Sequence, residues 1–554
     1  MPPALFVLAL SLLQTPPKGK PAAEPGSQTA TVEGRVLKAG TDEPLKKAWV
    51  TAYKLQGDQR PGGTSTDASG RFTLKGIEPG RYQLWAQRNG YVQQAYGQRG
   101  SERSGTTLTL SPGQTLSDIV FRLVPSAVIS GRVFDEDGEP VAGAVVQAMR
   151  YRYMEGKRDL LPAGRDRSDD LGEYRIYGLA AGQYYVSANF MPGRGAAPAA
   201  LAGTVGEKGE ETYPPTYYPG TNDPARATPL ELRAGEQVGG IDIGFMPTRA
   251  VRVRGRVFNA VTGQPGRGVM VWLYSRESGA MRFISRYEDY VEDAQGTFEI
   301  AGVTPGSYML QAHWWSDGKD YTTRSPVEVG TSDLEGLNVV ISPGVSLSGR
   351  VRVEGNRKIA LADHNVYLME FEESVMGGGS QASVKADGTF LLSNVPEGEY
   401  RIELWRMPED CYLKSARLGG EDVLEGPLKI GADQAGGALD LVLSTAAGRI
   451  EGSVWNESQQ PVPGSRVVLV PDPPRRGQSR LYEETTTDQY GQFIFRGVTP
   501  GDYKVFAWEE IESGAYHDPE FLKPYEDRGE AVKVAEGGQQ VVRLTLIPSE
   551  KSPP

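Results

Sequence analysis

Apolar and polar side chains alternate with a period of two in short runs such as FTLKGI, YRIYGL, FEIAGV and FIFRGV. Alternation over four to eight residues, bounded by Gly and Pro, is the mark of a strand with one face buried. Each run leads into a PG or related turn and then a second strand, YQLWA near the start of the chain and YKVFAW near its end. Signals for helices are nearly absent. The pattern predicts an all-β chain of many short strands joined by tight turns.

The pattern is also repeated. TDASGRFTLKGIEPGRYQLWA, from residue 66, recurs as DDLGEYRIYGLAAGQYYVSA, EDAQGTFEIAGVTPGSYMLQA, KADGTFLLSNVPEGEYRIELW and TDQYGQFIFRGVTPGDYKVFAW. Each copy is preceded by an opening strand whose glycine is Gly34, Gly131, Gly255, Gly349 or Gly452, at spacings of 97, 124, 94 and 103 residues. That spacing suits one small sandwich per copy and is too long for a propeller blade or a helical solenoid repeat. The expected domains are 30–124, 125–249, 250–344, 345–446 and 447–548. Each copy ends in a polar turn and a final apolar strand, and the next begins within a few residues, so the string of domains is expected to be semi-rigid and rod-like.

The turns follow from side-chain chemistry. In TDASG, EDAQG and TDQYG the Asp can accept hydrogen bonds from nearby backbone amides, and the closing Gly takes a conformation costly for other residues. An aromatic follows each second turn, at Tyr82, Tyr184, Tyr308, Tyr400 and Tyr503, and a partner precedes it, at Phe72, Tyr174, Phe298, Phe390 and Phe493. Fixed placement in every copy is what packing requires, so these ten residues are expected to fill cores or line turns. The largest departure is a long loop, 191–229, in the second copy. Its Tyr213, Tyr217 and Tyr218 lie beside prolines, and the loop reads either as a binding loop or as a flap over a small core.

The G-x-V opening strand, the Asp turn before an aromatic and the PG-x-Y turn together resemble the carboxypeptidase regulatory-like domain, a transthyretin-like or Cna-B-like β-sandwich. The resemblance covers residues 30 to 547. It implies five tandem seven- or eight-stranded transthyretin-like or Ig-like β-sandwich domains in an elongated array. It further implies a role as stalk, appendage or adhesin module, with related folds labelled carbohydrate-binding or starch-binding-like. It implies no peptidase, and no His-x-x-Glu pair followed by a distant His, the set a zinc carboxypeptidase would show, is present. Lys–Asn isopeptide cross-links, known in Cna-B-like domains, stay open at this point.

Composition narrows the class. A chain of 554 residues exceeds a single core. Its net charge of -11 speaks against attraction to nucleic acid or an anionic membrane. The apolar run from Ala4 to Leu13 is too short to span a bilayer and fits the centre of a secretory signal within residues 1–20. No other apolar run reaches 18 residues, so no transmembrane segment is expected in the mature chain. The lone Cys411 excludes an intrachain disulfide. The expected location is periplasmic, secreted or peripheral to the cell envelope.

Catalytic chemistry is hard to find. The three histidines, His313, His364 and His517, fall one each in the last three copies, which does not suit a His-containing zinc site. No nucleophile elbow, phosphate loop or Cys–His constellation is present. The acidic turns Asp135–Glu139 and Ser168–Asp170 resemble oxygen-rich calcium turns without matching the twelve-residue loop. No cofactor and no metal are expected. The resulting expectation is a non-enzymatic exported scaffold or spacer that makes protein contacts at the cell envelope. The alternative is binding of carbohydrate or a cell-surface polymer through exposed aromatics, for which the candidates are Tyr91, Tyr96, Tyr213, Tyr217, Tyr218, Trp314 and Trp315.

Overall fold

The computed structural model describes residues 29–55, 62–98, 105–154, 156–190, 211–276, 286–316, 318–370, 379–431 and 437–549. The expected signal segment and the first half of the 191–229 loop lie outside them. Strands dominate, and the α-helix among the described residues is the single turn Pro519–Leu522. Among the described residues no helix is long and apolar enough to cross a membrane.

Five apolar cores follow one another along the chain, and each is enclosed by two sheets. In the first sandwich the opening strand Ala30–Lys38 is central to one sheet. It pairs antiparallel with Arg71–Ile77 and parallel with the closing strand Thr115–Leu123. The facing sheet places Gly62–Ser65 beside Trp49–Lys54, then Gly80–Gln87, with Thr107–Leu110 at its far edge. The same wiring recurs in the fifth: Gly448–Trp455 pairs antiparallel with Gln492–Val498 and parallel with Gln539–Thr545. All-β class and five tandem sandwiches are therefore as the periodicity indicates.

The opening glycine has a steric cause. A Cβ on Gly34, Gly131, Gly255 or Gly452 would collide with a backbone carbonyl oxygen of the parallel closing strand, that of Ile119, Ile241, Leu337 or Val542. On Gly349 it would strike the Phe390 ring, and on Gly255 and Gly452 it would also meet Phe298 and Phe493. In the last three copies the aromatic before the turn thus packs over the glycine of the opening strand. All ten recurring aromatics are buried.

The recurring tyrosine does a second job. Its hydroxyl donates to the carbonyl four residues earlier: Tyr82 to Glu78, Tyr184 to Ala180, Tyr308 to Thr304, Tyr400 to Pro396 and Tyr503 to Thr499, at 2.7–2.9 Å. The ring fills the core while its polar tip ties down the turn. The Asp turns are built as expected. Asp67, Asp169, Asp293 and Asp488 each accept two backbone amides, from residues two and four positions on. Asp135 closes its own turn in the same way, accepting the amides of Asp137 and Glu139, so DEDGE is accounted for as a turn.

The series of sandwiches is not a straight rod. It bends, and the first sandwich meets the fifth. A hairpin of the second, Val145–Met154 and Lys157–Arg167, also reaches the fifth. Short junctions limit the path between neighbours but do not set its direction.

Replacing Gly452 by Ala is expected to destabilise the fifth sandwich by about 1–3 kcal/mol, because the obstacle is a backbone carbonyl that cannot rotate away. Urea denaturation of the variant, followed by fluorescence, should show the loss. An unchanged midpoint would mean that the closing strand can shift.

Candidate functional site

The seam between the first and fifth sandwiches is polar and buried. The edge strand Thr107–Leu110 lies along the Asp turn of the fifth sandwich, with Thr107 in a parallel bridge to Asp488. The hydroxyls of Thr107 and Thr486 are 2.7 Å apart. Thr109 donates its amide to Gln489 Oε1 at 3.0 Å and its hydroxyl to Asp488 Oδ2 at 3.0 Å, and Gln489 Nε2 returns a bond to the Thr109 carbonyl at 2.9 Å. Thr106, Thr107, Thr486, Thr487 and Asp488 are all buried there. The corresponding Asp67 and Asp169 remain exposed and Asp293 is half-buried. One repeated turn thus serves two purposes, and in the fifth copy the second carboxylate oxygen is used between domains.

Close approach at the seam also needs a glycine. Gly464 takes φ +72°, and a Cβ there would stand 2.8 Å from Thr106 Oγ1. Arg81 reaches Thr485 Oγ1 at 3.5 Å. Burial lowers its pKa, while the nearby Asp488 and Glu409 carboxylates favour the charge. Glu409 belongs to the fourth sandwich and pairs with Arg496 of the fifth at 2.6 Å.

The fifth sandwich carries a second, smaller core on the outer face of its second sheet. Val468, Val470, Phe506 and Trp508 face outward and are covered by Ile511, Ala515, Tyr516 and Leu522 from the segment after Trp508. Asp518 caps the one-turn helix by accepting the Glu520 amide. This segment escaped the sequence reading. Two signals for it exist: the run VVLV has no polar alternation, as expected of a strand buried on both faces, and DPE is a helix-start pattern. Tyr153, from the hairpin of the second sandwich, packs on this cover, 6.2 Å from the Phe521 ring, and its amide donates to Glu512 at 3.2 Å.

A cleft of about 710 Å³ opens where these three sandwiches meet. Gln83 and Trp85 line it from the first, Arg152 and Tyr153 from the second, and Arg466, Glu484, Tyr516 and His517 from the fifth. Arg466 Nη1 pairs with Glu484 Oε2 at 3.1 Å, and the Tyr516 hydroxyl donates to the same oxygen at 2.8 Å. Burial, then the Glu484 charge, pushes the Tyr516 pKa well up.

The aromatics singled out from the sequence do not come together. Tyr213 is buried, stacked on Phe245 at 5.3 Å, with its hydroxyl donating to Glu136. Tyr217 is fully buried with Met149, Leu160 and Ala227. Both pack within the second sandwich, where the 211–229 stretch folds back as a flap, and neither ring is exposed. Tyr218 is half-buried against the same domain, and Tyr91 and Tyr96 pack on the first core, Tyr96 edge-on to Phe121. Trp314 rests on Tyr321 at 5.2 Å, and Trp315, 67% exposed, is the one whose side chain stands open.

The groups with catalytic potential lie apart from one another, and neither ring nitrogen of His364 has a hydrogen-bond partner. His364 is buried, His313 Nε2 lies 2.6 Å from Asp320, and the His517 ring is 4.1 Å from that of Tyr482. Cys411 is buried, which raises its thiol pKa. Among the described residues no three His, Cys, Asp or Glu side chains cluster as metal ligands, and no lysine is buried as an isopeptide bond would require.

Glu483, on the strand that abuts the seam, has its carboxyl pushed up by burial from 4.5 to about 7. The folded state therefore takes up a proton between those values, and the stability present below pH ~4.5 is lost as pH rises through about 7. Glu483→Gln is expected to raise the melting temperature at pH 8 and to leave it unchanged at pH 4, as checked by thermal denaturation at both values.

Comparison with known proteins places these features. The model of the family "Carboxypeptidase regulatory-like domain" matches residues 31–124 and 449–546. Serine-aspartate repeat-containing protein D of Staphylococcus aureus strain Newman is 22% identical over 154 residues, 26% of this chain and 11% of the relative, so the match spans about a tenth of that relative's length. Among solved structures, the minor pilin GBS52 of Streptococcus agalactiae aligns with 40% of this chain and 97% of its own at 14% identity, with a TM-score of 0.22. The major pilin subunit BcpA of Bacillus cereus aligns with 56% and 99% at 10% identity, with a TM-score of 0.14. The two regions that resemble this family are the first and fifth sandwiches, which meet at the seam.

Proposed function

We propose that this protein is a non-enzymatic, exported scaffold that holds five sandwich modules in one arrangement and presents their loops and outer faces to protein partners at the cell envelope. The observation that supports it is the buried polar seam. A chain of loosely jointed spacers gains nothing from side-chain bonds between its first and last units. A frame that must keep its modules at set positions does. Buried hydroxyl and carboxylate groups tolerate few alternative registers, since each unmade bond costs about 1–3 kcal/mol.

Thr107→Lys places an unpaired charge in the seam and is expected to open the array. Small-angle scattering should show a larger radius of gyration for the variant at unchanged circular dichroism. In envelope fractions, wild-type protein is expected to cross-link to a defined set of proteins and the opened variant to lose part of that set. Wild-type protein that cross-links to no envelope protein would overturn the reading.

A further inference from the structure

We propose that the cleft where the first, second and fifth sandwiches meet binds an uncharged saccharide. The inference does not rest on the scaffold reading. At about 710 Å³ the cleft has the size of a small-molecule site, and it lies at a domain interface, where such sites concentrate. Its lining combines the two chemistries that sugars require. Trp85 offers a ring for the C–H face of a pyranose, with the buried Tyr516 behind the wall, while the planar Gln83 amide, the Arg152 guanidinium and the Arg466–Glu484 pair can bridge neighbouring hydroxyls.

Charge sets the ligand class. Arg152 and Arg466 are balanced by Glu484 and Glu512 within the same lining, so the cleft has no excess of either sign to hold an anionic or cationic ligand. The polar groups are also held in advance. Glu484 Oε2 receives both Arg466 and Tyr516, and Arg466 is 9% exposed with its Nε buried and without a partner. Preorganisation of this kind lowers the ordering cost of binding. The seam holds Trp85 and Arg466 on the same cleft although they are far apart in the chain.

The test is titration of the full chain with maltohexaose, cellohexaose and chitohexaose, read by tryptophan fluorescence and calorimetry, with an oligogalacturonate as the anionic control. Saturable binding of at least one neutral hexasaccharide is expected, weakened at least tenfold by Trp85→Ala and by Gln83→Ala and unaffected by Trp315→Ala. Scattering on Trp85→Ala checks that the array stays closed; if it opens, Gln83→Ala decides. The proposal is overturned if none of the three binds, if only the oligogalacturonate binds, or if binding survives the cleft variants and is lost in Trp315→Ala.

Discussion

Four of the five sandwiches depend on one close approach, that of the closing strand to the opening glycine. Gly34, Gly131, Gly255 and Gly452 lie against a carbonyl of a parallel strand, at a distance no side chain permits. The closing strand is the last element of its repeat, so this contact also sets where the chain leaves for the next one. In the first sandwich it ends at Leu123 and the second opens at Ala127; in the fourth it ends at Ser444 and the fifth opens at Gly448. A local steric rule thereby limits the geometry of the whole array. The aromatic that covers the glycine and the tyrosine that ties the turn complete a unit that can be repeated with little change.

What differs between repeats lies on the outer face of the second sheet. In the second sandwich that face carries Met149, Leu160 and Tyr185 and is covered by the flap bearing Tyr217. In the fifth it carries Val468, Val470, Phe506 and Trp508 and is covered by the segment after Trp508. In the fourth it keeps a stacked Tyr367–Trp405 pair, with Trp405 exposed. The two covered faces belong to sandwiches that touch, and the fifth sandwich's cover supplies their contact through Phe521 and Glu512. Apolar burial by an insertion has made a docking surface that the plain repeat lacks.

The seam works by specificity more than by strength. A hydrogen bond adds only about 1 kcal/mol net, but a buried donor or acceptor left unpaired costs more, so Thr107, Thr109, Asp488 and Gln489 favour one register over its neighbours. The same seam brings the walls of the three-domain cleft together.

The class of fold, the number of repeats, the Asp turns and the burial of the ten recurring aromatics were all legible in the sequence. Their causes are local: a period of two, a turn residue at a set offset, a ring beside a glycine. The seam was not legible, since Thr107 and Thr486 are 379 residues apart and a threonine on an edge strand reads the same whether it faces water or a partner. Nor was the fate of Tyr213 and Tyr217, because proline-flanked tyrosines suit a binding loop and a covering flap equally. Local patterning determined five sandwiches of one design. Only the tertiary structure decided that the first closes on the fifth and that a cleft forms there, because long-range polar pairing leaves no periodic trace along a chain.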